Sequence, residues 1–152
     1  MLFLEEIILQ SKIMTTKIFV NLPVKDLAVS MEFFSKIGFT FNEQFTDENA
    51  ACMVVSEDIF VMLLVEPFFQ TFTKKEVVDA TKATEVLTAL SVESREAVDE
   101  RLAVALEAGA AEAREPQDHD FMYGRSFEDL DGHIWEIFYM DEEKVAQETT
   151  GQ

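Results

Sequence analysis

Two parts of this chain repeat one another. IFVNLPV (18–24) can be laid over VLTALSV (86–92) and IFVMLLVE (59–66) over IWEIFYM (134–140), with a helix of similar length after the first strand of each pair. A repeated supersecondary unit restricts the fold more than any single residue does, because one copy alone leaves a face of its sheet uncovered. Two copies are therefore expected to pair around a shared cleft, within the chain or across a homodimer.

Periodicity fills in each copy. KIFVNLPV is β-branched and aromatic and ends near a proline, a strand signal. Asp26 precedes Leu27, Met31 and Phe34, spaced as one face of a helix that stops at Gly38. FTFNEQF, AACMVVS and IFVMLLV follow as three strands separated by polar turns. The second copy opens with the strand EVLTALSV. A helix capped by Ser94 comes next, with Val98, Leu102 and Leu106 on one face and Gly109 as its stop. AAEAREP, FMYGRSFE and HIWEIFYM supply its three further strands. The fold class is α+β: two β-α-β-β-β modules, 17–66 and 85–140, joined by a linker at 67–84 in a single domain over 17–140.

At 152 residues the chain has room for one compact core but not two independent ones. With 30 acidic against 12 basic residues the net charge is −18, a field that repels nucleic acid and anionic membrane surfaces. No stretch reaches the roughly 20 apolar residues that span a bilayer. The single cysteine, Cys52, lies in the apolar ACMVV and suits a buried inert thiol in a reducing cytoplasm. In MLFLEEIILQSKIM, Glu5 and Glu6 break the apolar run, so a signal peptide is not expected. Residues 1–16 read as an N-terminal extension, either an appendage before a start at Met14 or a packed terminal helix. Residues 141–152 read as a frayed, solvated tail.

The paired modules, the VKDL segment (24–27) entering the first helix and DLDGHIWEI (129–137) before the last strand together resemble the vicinal oxygen chelate superfamily. That group holds glyoxalase I, extradiol dioxygenases and the fosfomycin- and bleomycin-resistance proteins. FMYGRSFEDLDGHIWEIFYMD, TEVLTALSVESREAVD and the phenylalanine-rich linker are similar to a bacterial branch labelled glyoxalase/bleomycin resistance protein. The resemblance implies a divalent-metal site with one ligand, usually His, Glu or Gln, on the first and last strand of each module. Carried onto this chain, those positions fall on Phe19, about Leu63, Leu87 and Glu136. Three of the four cannot bind a metal, and a shift of one residue turns each side chain to the other face without rescuing the site. No cofactor is expected, and a divalent metal only if the site is atypical. The histidines do not replace it: His133 and Glu136, three apart on a strand, face opposite ways, and His119 in DHD reads as part of a polar surface turn.

Glu136 then needs another explanation. An even-numbered EDLDGH loop puts Arg125 directly opposite it and Tyr123 opposite Phe138, gathering an arginine, a phenol and a carboxylate on one face. Either Arg125 and Glu136 form an ion pair that plugs the old metal space, or Arg125 and Tyr123 hold a ligand while Glu136 exchanges a proton with it. In the linker, Phe68, Phe69 and Phe72 either close the end of the core or form an aromatic lid. Gly-rich phosphate loops, a serine nucleophile elbow and zinc spacings do not occur.

These readings converge on a protein that binds a small organic molecule in the manner of the bleomycin-resistance proteins, with Tyr123, Arg125, Phe19, Leu63, Leu87, Phe138 and Phe69 around the ligand. The alternatives are a glyoxalase-type lyase or isomerase, a metal-free acid–base enzyme using Glu136, and a regulatory protein with a vestigial pocket.

Overall fold

The computed structural model describes residues 3–5 and 16–151. Most of the expected N-terminal extension lies outside the described residues. Two four-stranded mixed sheets form, each with helices. The first contains β1 (Ile18–Val24), β2 (Thr40–Asn42), β3 (Ala50–Val54) and β4 (Ile59–Val65) in the order β1-β4-β3-β2. The second contains β5 (Leu87–Ser91), β6 (Ala111–Asp118), β7 (Met122–Glu128) and β8 (Ile134–Met140) in the order β5-β8-β7-β6. Each first strand runs parallel to its sheet's last strand, and the other pairings are antiparallel. The repeat read from the sequence is thus a repeat of topology. Pro23 fits because β1 is an edge strand, where a missing N–H breaks no second ladder.

The helices are α1 (Leu27–Lys36), α2 (Glu66–Gln70), α3 (Arg95–Glu107) and α4 (Glu142–Thr150). Ser94 caps α3 by accepting from the Ala97 N–H at 3.0 Å. Ala97, Val98, Leu102 and Ala105 form its buried face, while Leu106, expected there, is exposed. The tail expected to fray instead forms α4, because Asp141 caps it through the Lys144 N–H and the Lys144 ammonium reaches Asp120 at 2.9 Å. Part of FTFNEQF is likewise not strand: Asn42 accepts from the Gln44 N–H and turns residues 43–45 into a 3₁₀ segment.

Residues up to Leu27 with Phe39–Lys74 make one compact unit, and Ala28–Gly38 with Lys75 onward make the other. Helix α1, which chain order assigns to the first module, therefore packs with the second sheet. The reason is aromatic: Phe33 meets Phe127, and Phe34 meets Trp135, in edge-to-face contacts with ring centroids 6.2 and 5.2 Å apart. Cys52 is buried in β3, and burial pushes its thiol up from the ordinary value. No helix among the described residues is long and apolar enough to cross a membrane.

Candidate functional site

Side chains in the second sheet are sorted by the β7–β8 loop. It spans residues 129–133, an odd number, because Asp129 organises it. Oδ1 of Asp129 accepts from the Asp131 and His133 N–H groups at 2.9 and 3.0 Å, and Oδ2 from the Trp135 indole N–H at 2.9 Å. Asp129 is buried, and burial pushes its carboxyl pKa above the ordinary carboxylate value against the pull of these donors. Gly132, at φ 89°, completes the turn where a Cβ would come within 2.8 Å of the Ala80 carbonyl oxygen.

The odd loop shifts the expected register by one residue. Arg125 pairs with Ile137 and Tyr123 with Tyr139, whereas Glu136 pairs with Ser126 and Phe138 with Gly124. Arg125 and Tyr123 consequently lie on the face opposite Glu136, and the expected trio does not assemble. They meet α3 instead: the Tyr123 hydroxyl donates to Asp99 at 2.7 Å, and Arg125 bridges Asp99 and Glu112, each at 2.9 Å. The Tyr123 bond, followed by Arg125, holds the Asp99 carboxyl below its ordinary value, while burial and Asp99 push the Tyr123 phenol up. This cluster joins helix to sheet. The DHD turn is tied down similarly, Asp118 and the His119 carbonyl accepting from Arg95.

Glu136 has another partner. Its Oε1 accepts from Arg114 at 2.6 Å. A β-bulge makes this possible: Glu112 pairs with Phe127, but after a register shift Arg114 pairs with Ser126, so the two even-numbered residues point to opposite faces. Arg114, Ser126, Glu136 and Ala89 stand in one row across β6, β7, β8 and β5. To reach Glu136 the arginine must pass over Ser126. Ser126 is fully buried, and its Oγ has no hydrogen-bond partner in the structure, a state that costs about 1–3 kcal/mol. Ile134 and Phe138 flank Glu136 on the same face, together with Leu87.

On the first sheet, Phe19, Asn21 and Pro23 share a face with Phe60, Met62 and Leu64. Leu63, expected beside Phe19, pairs with Leu22 on the opposite face and is wholly buried; Met62 is the residue across from Asn21. A cleft of about 440 Å³ opens on the Asn21 face. Met62, Leu64 and Ala50 give it an apolar floor, Asn21, Gln44, Thr46 and Asp47 a polar rim, and Phe45, Phe68 and Phe72 aromatic walls. Helix α2 lies against β1 and β4 and carries Phe68; Phe72 follows just beyond its end, their rings 5.1 Å apart and edge-to-face. Phe72 is 70% exposed, so its ring is not core packing, while Phe68 is half-buried. Phe69, the ring expected at the ligand, does not line the cleft. Along the same sheet face the half-exposed Phe19 stacks on Phe60 at 4.8 Å.

Sequence reasoning missed Arg114, Ser126, Asn21 and Met62. A strand bulge and loop parity decide the placement of Arg114 and Ser126, and the β1–β4 register that of Asn21 and Met62; none of these has a composition signal. Among the described residues, no group of three or more His, Cys, Asp or Glu is gathered closely enough to hold a metal ion.

Comparison with known proteins agrees with this architecture. Residues 16–56 match the family described as bleomycin resistance protein-like N-terminal. A hypothetical protein from S. aureus is 30% identical, over 83% of this chain and 95% of its own, with a TM-score of 0.70. A glyoxalase/bleomycin resistance protein/dioxygenase family enzyme from Burkholderia phytofirmans PsJN is 18% identical over 80% of this chain and 96% of its own, TM-score 0.66. A glyoxalase-related enzyme from Fulvimarina pelagi is also 18% identical, over 83% and 88%, TM-score 0.70. No protein of curated function matches the sequence. With its topology, its matching N-terminal segment and these relatives, the chain belongs to the vicinal oxygen chelate superfamily, in the glyoxalase/bleomycin resistance protein/dioxygenase branch.

Proposed function

We propose that this protein binds a small organic molecule in the first-sheet cleft and does so without a divalent metal. The cleft is the observation that carries the reading. Its volume falls within the range of about 300–1,000 Å³ usual for ligand sites, and an apolar floor with a few rim hydrogen-bonding groups is the usual chemistry of such sites. The exposed rings of Phe45 and Phe72 offer flat faces to an apolar or aromatic ligand.

The donor set does not fit the metal of the superfamily. Asn21 and Met62 face each other across β1 and β4, and Ala89 and Glu136 across β5 and β8. Within each sheet taken by itself, neither an amide with a thioether nor a carboxylate with a methyl group supplies the donors that a hard divalent ion takes. Arg114 already compensates Glu136. The reading includes a homodimer, which the exposed Ile18 and Phe19 on edge strand β1 and Val86 and Leu87 at β5 would suit.

A thermal-shift screen of small aromatic and apolar compounds against the metal-stripped protein tests the reading. Ligands that stabilise the wild type should lose about tenfold in affinity in Phe68→Ala or Phe72→Ala. Equal binding by both variants, or binding that appears only when metal is restored, would refute it.

A further inference from the structure

We propose that Arg114, Ser126 and Glu136 form a second recognition site, on the second sheet, for a neutral group that both donates and accepts hydrogen bonds, namely an amide or urea. This site does not depend on the first-sheet cleft. Its three side chains come from three neighbouring strands in register, and the β-bulge before Arg114 brings the arginine to the face of the other two.

Unused hydrogen-bonding capacity marks the row as a site. Arg114 spends one N–H on Glu136, and the remaining donors of its planar fork are available. Glu136 uses one carboxylate oxygen for that bond and leaves the other. Ser126 is fully buried with an unpartnered hydroxyl, a condition that native structures seldom retain without a role. Access is available because the Arg114 side chain is 42% and Glu136 23% exposed. Arg114 is long and half in solvent, so a change of rotamer uncovers Ser126. On the β5 side of Glu136 stands Ala89, whose small, exposed side chain leaves room for a ligand atom.

Charge selects the ligand class. A guanidinium and a carboxylate in contact present no net charge, so an anion meets Glu136 and a cation meets Arg114. The chain's net charge of −18 further disfavours an anion. An amide satisfies the row: its carbonyl accepts from Arg114 and Ser126, and its N–H donates to Glu136. Ile134, Phe138 and Leu87, on the same face, then receive the hydrocarbon attached to it.

Benzamide, benzoate and benzamidine share one shape and differ in charge. Each is titrated into the 15N-labelled 152-residue chain while amide shifts are followed. Benzamide should give saturable shifts centred on residues 114, 126 and 136, with affinity of about millimolar, and benzoate and benzamidine should bind about fivefold more weakly or less. Ser126→Ala, which only removes an unpartnered hydroxyl and should fold, is expected to weaken benzamide by about fivefold. Tighter binding of either charged analogue, shifts confined to the first-sheet cleft, no shifts, or unchanged binding in Ser126→Ala would overturn the proposal. Failure at this row would leave the first-sheet cleft reading standing, because that reading is tested with Phe68 and Phe72 variants.

Discussion

Asp129 sets the register that separates Glu136 from Arg125, and Asp129→Ala tests that role. The substitution strands three donors at once, the N–H groups of Asp131 and His133 and the indole N–H of Trp135, whose side chain is fully buried. Each unsatisfied buried donor costs about 1–3 kcal/mol, although water reaches part of a turn. Removing a buried carboxylate returns some of that, since burial disfavours its charged form. The expected net loss is about 2–4 kcal/mol. Asp129→Asn keeps an acceptor for the two backbone groups but turns an amide N–H toward the indole, and should lose about 1–2 kcal/mol. Urea unfolding followed by tryptophan fluorescence suits the assay, because Trp135 is the chain's only tryptophan and contacts the altered group. The pH dependence has a definite sign. Because the folded-state pKa is raised, the wild type should gain stability relative to Asp129→Asn as pH falls from neutral through the folded value, levelling off below the ordinary value of 3.8. An Asp129→Ala protein within about 0.5 kcal/mol of wild type would refute the reasoning.

Other perturbations follow from the same geometry. Arg114→Ala should lose about 0.5–1.5 kcal/mol, less at high salt, because it leaves Glu136 uncompensated at a partly exposed site; guanidinium unfolding itself screens such charges, so urea is the denaturant to use. Ser126→Ala should leave thermal stability unchanged or raise it, as the hydroxyl has no partner to lose. Asp99 contributes stability above its ordinary value of 3.8 that is lost as pH falls through its lowered folded value, so Asp99→Asn should flatten the acid limb of a melting curve series below about pH 4. The effect should be no more than a few tenths of a kcal/mol, since Asp99 is half exposed. Gly132→Ala should cost more than about 1 kcal/mol in calorimetry, because φ of 89° and contact with Ala80 leave no place for a Cβ.

The fold was legible because repetition and period 2 are local patterns: the two β-α-β-β-β modules and the helix stops at Gly38 and Gly109 follow from them. Side-chain placement was not, because it depends on parity. Counting EDLDGH as an even loop moved Arg125 and Tyr123 onto the wrong face, and the bonds of Asp129 that fix an odd loop have no signature beyond an aspartate in a turn. AAEAREP reads as an ordinary strand, yet the bulge within it aims Arg114 at Glu136. Leu63 was one residue from Met62, and that step separates the core from the cleft. Helix α1 joined the second unit through Phe33 and Phe34, a long-range preference that no local window contains.

The central claim is that this member of the superfamily binds its ligand without a divalent ion. Metal content of the protein purified without chelators, with melting repeated after addition of Ni, Zn, Mn and Fe(II), tests it most directly. The account predicts far less than one ion per chain and no metal-specific rise in melting temperature. A stoichiometric ion, with a rise that Glu136→Gln abolishes, would contradict it.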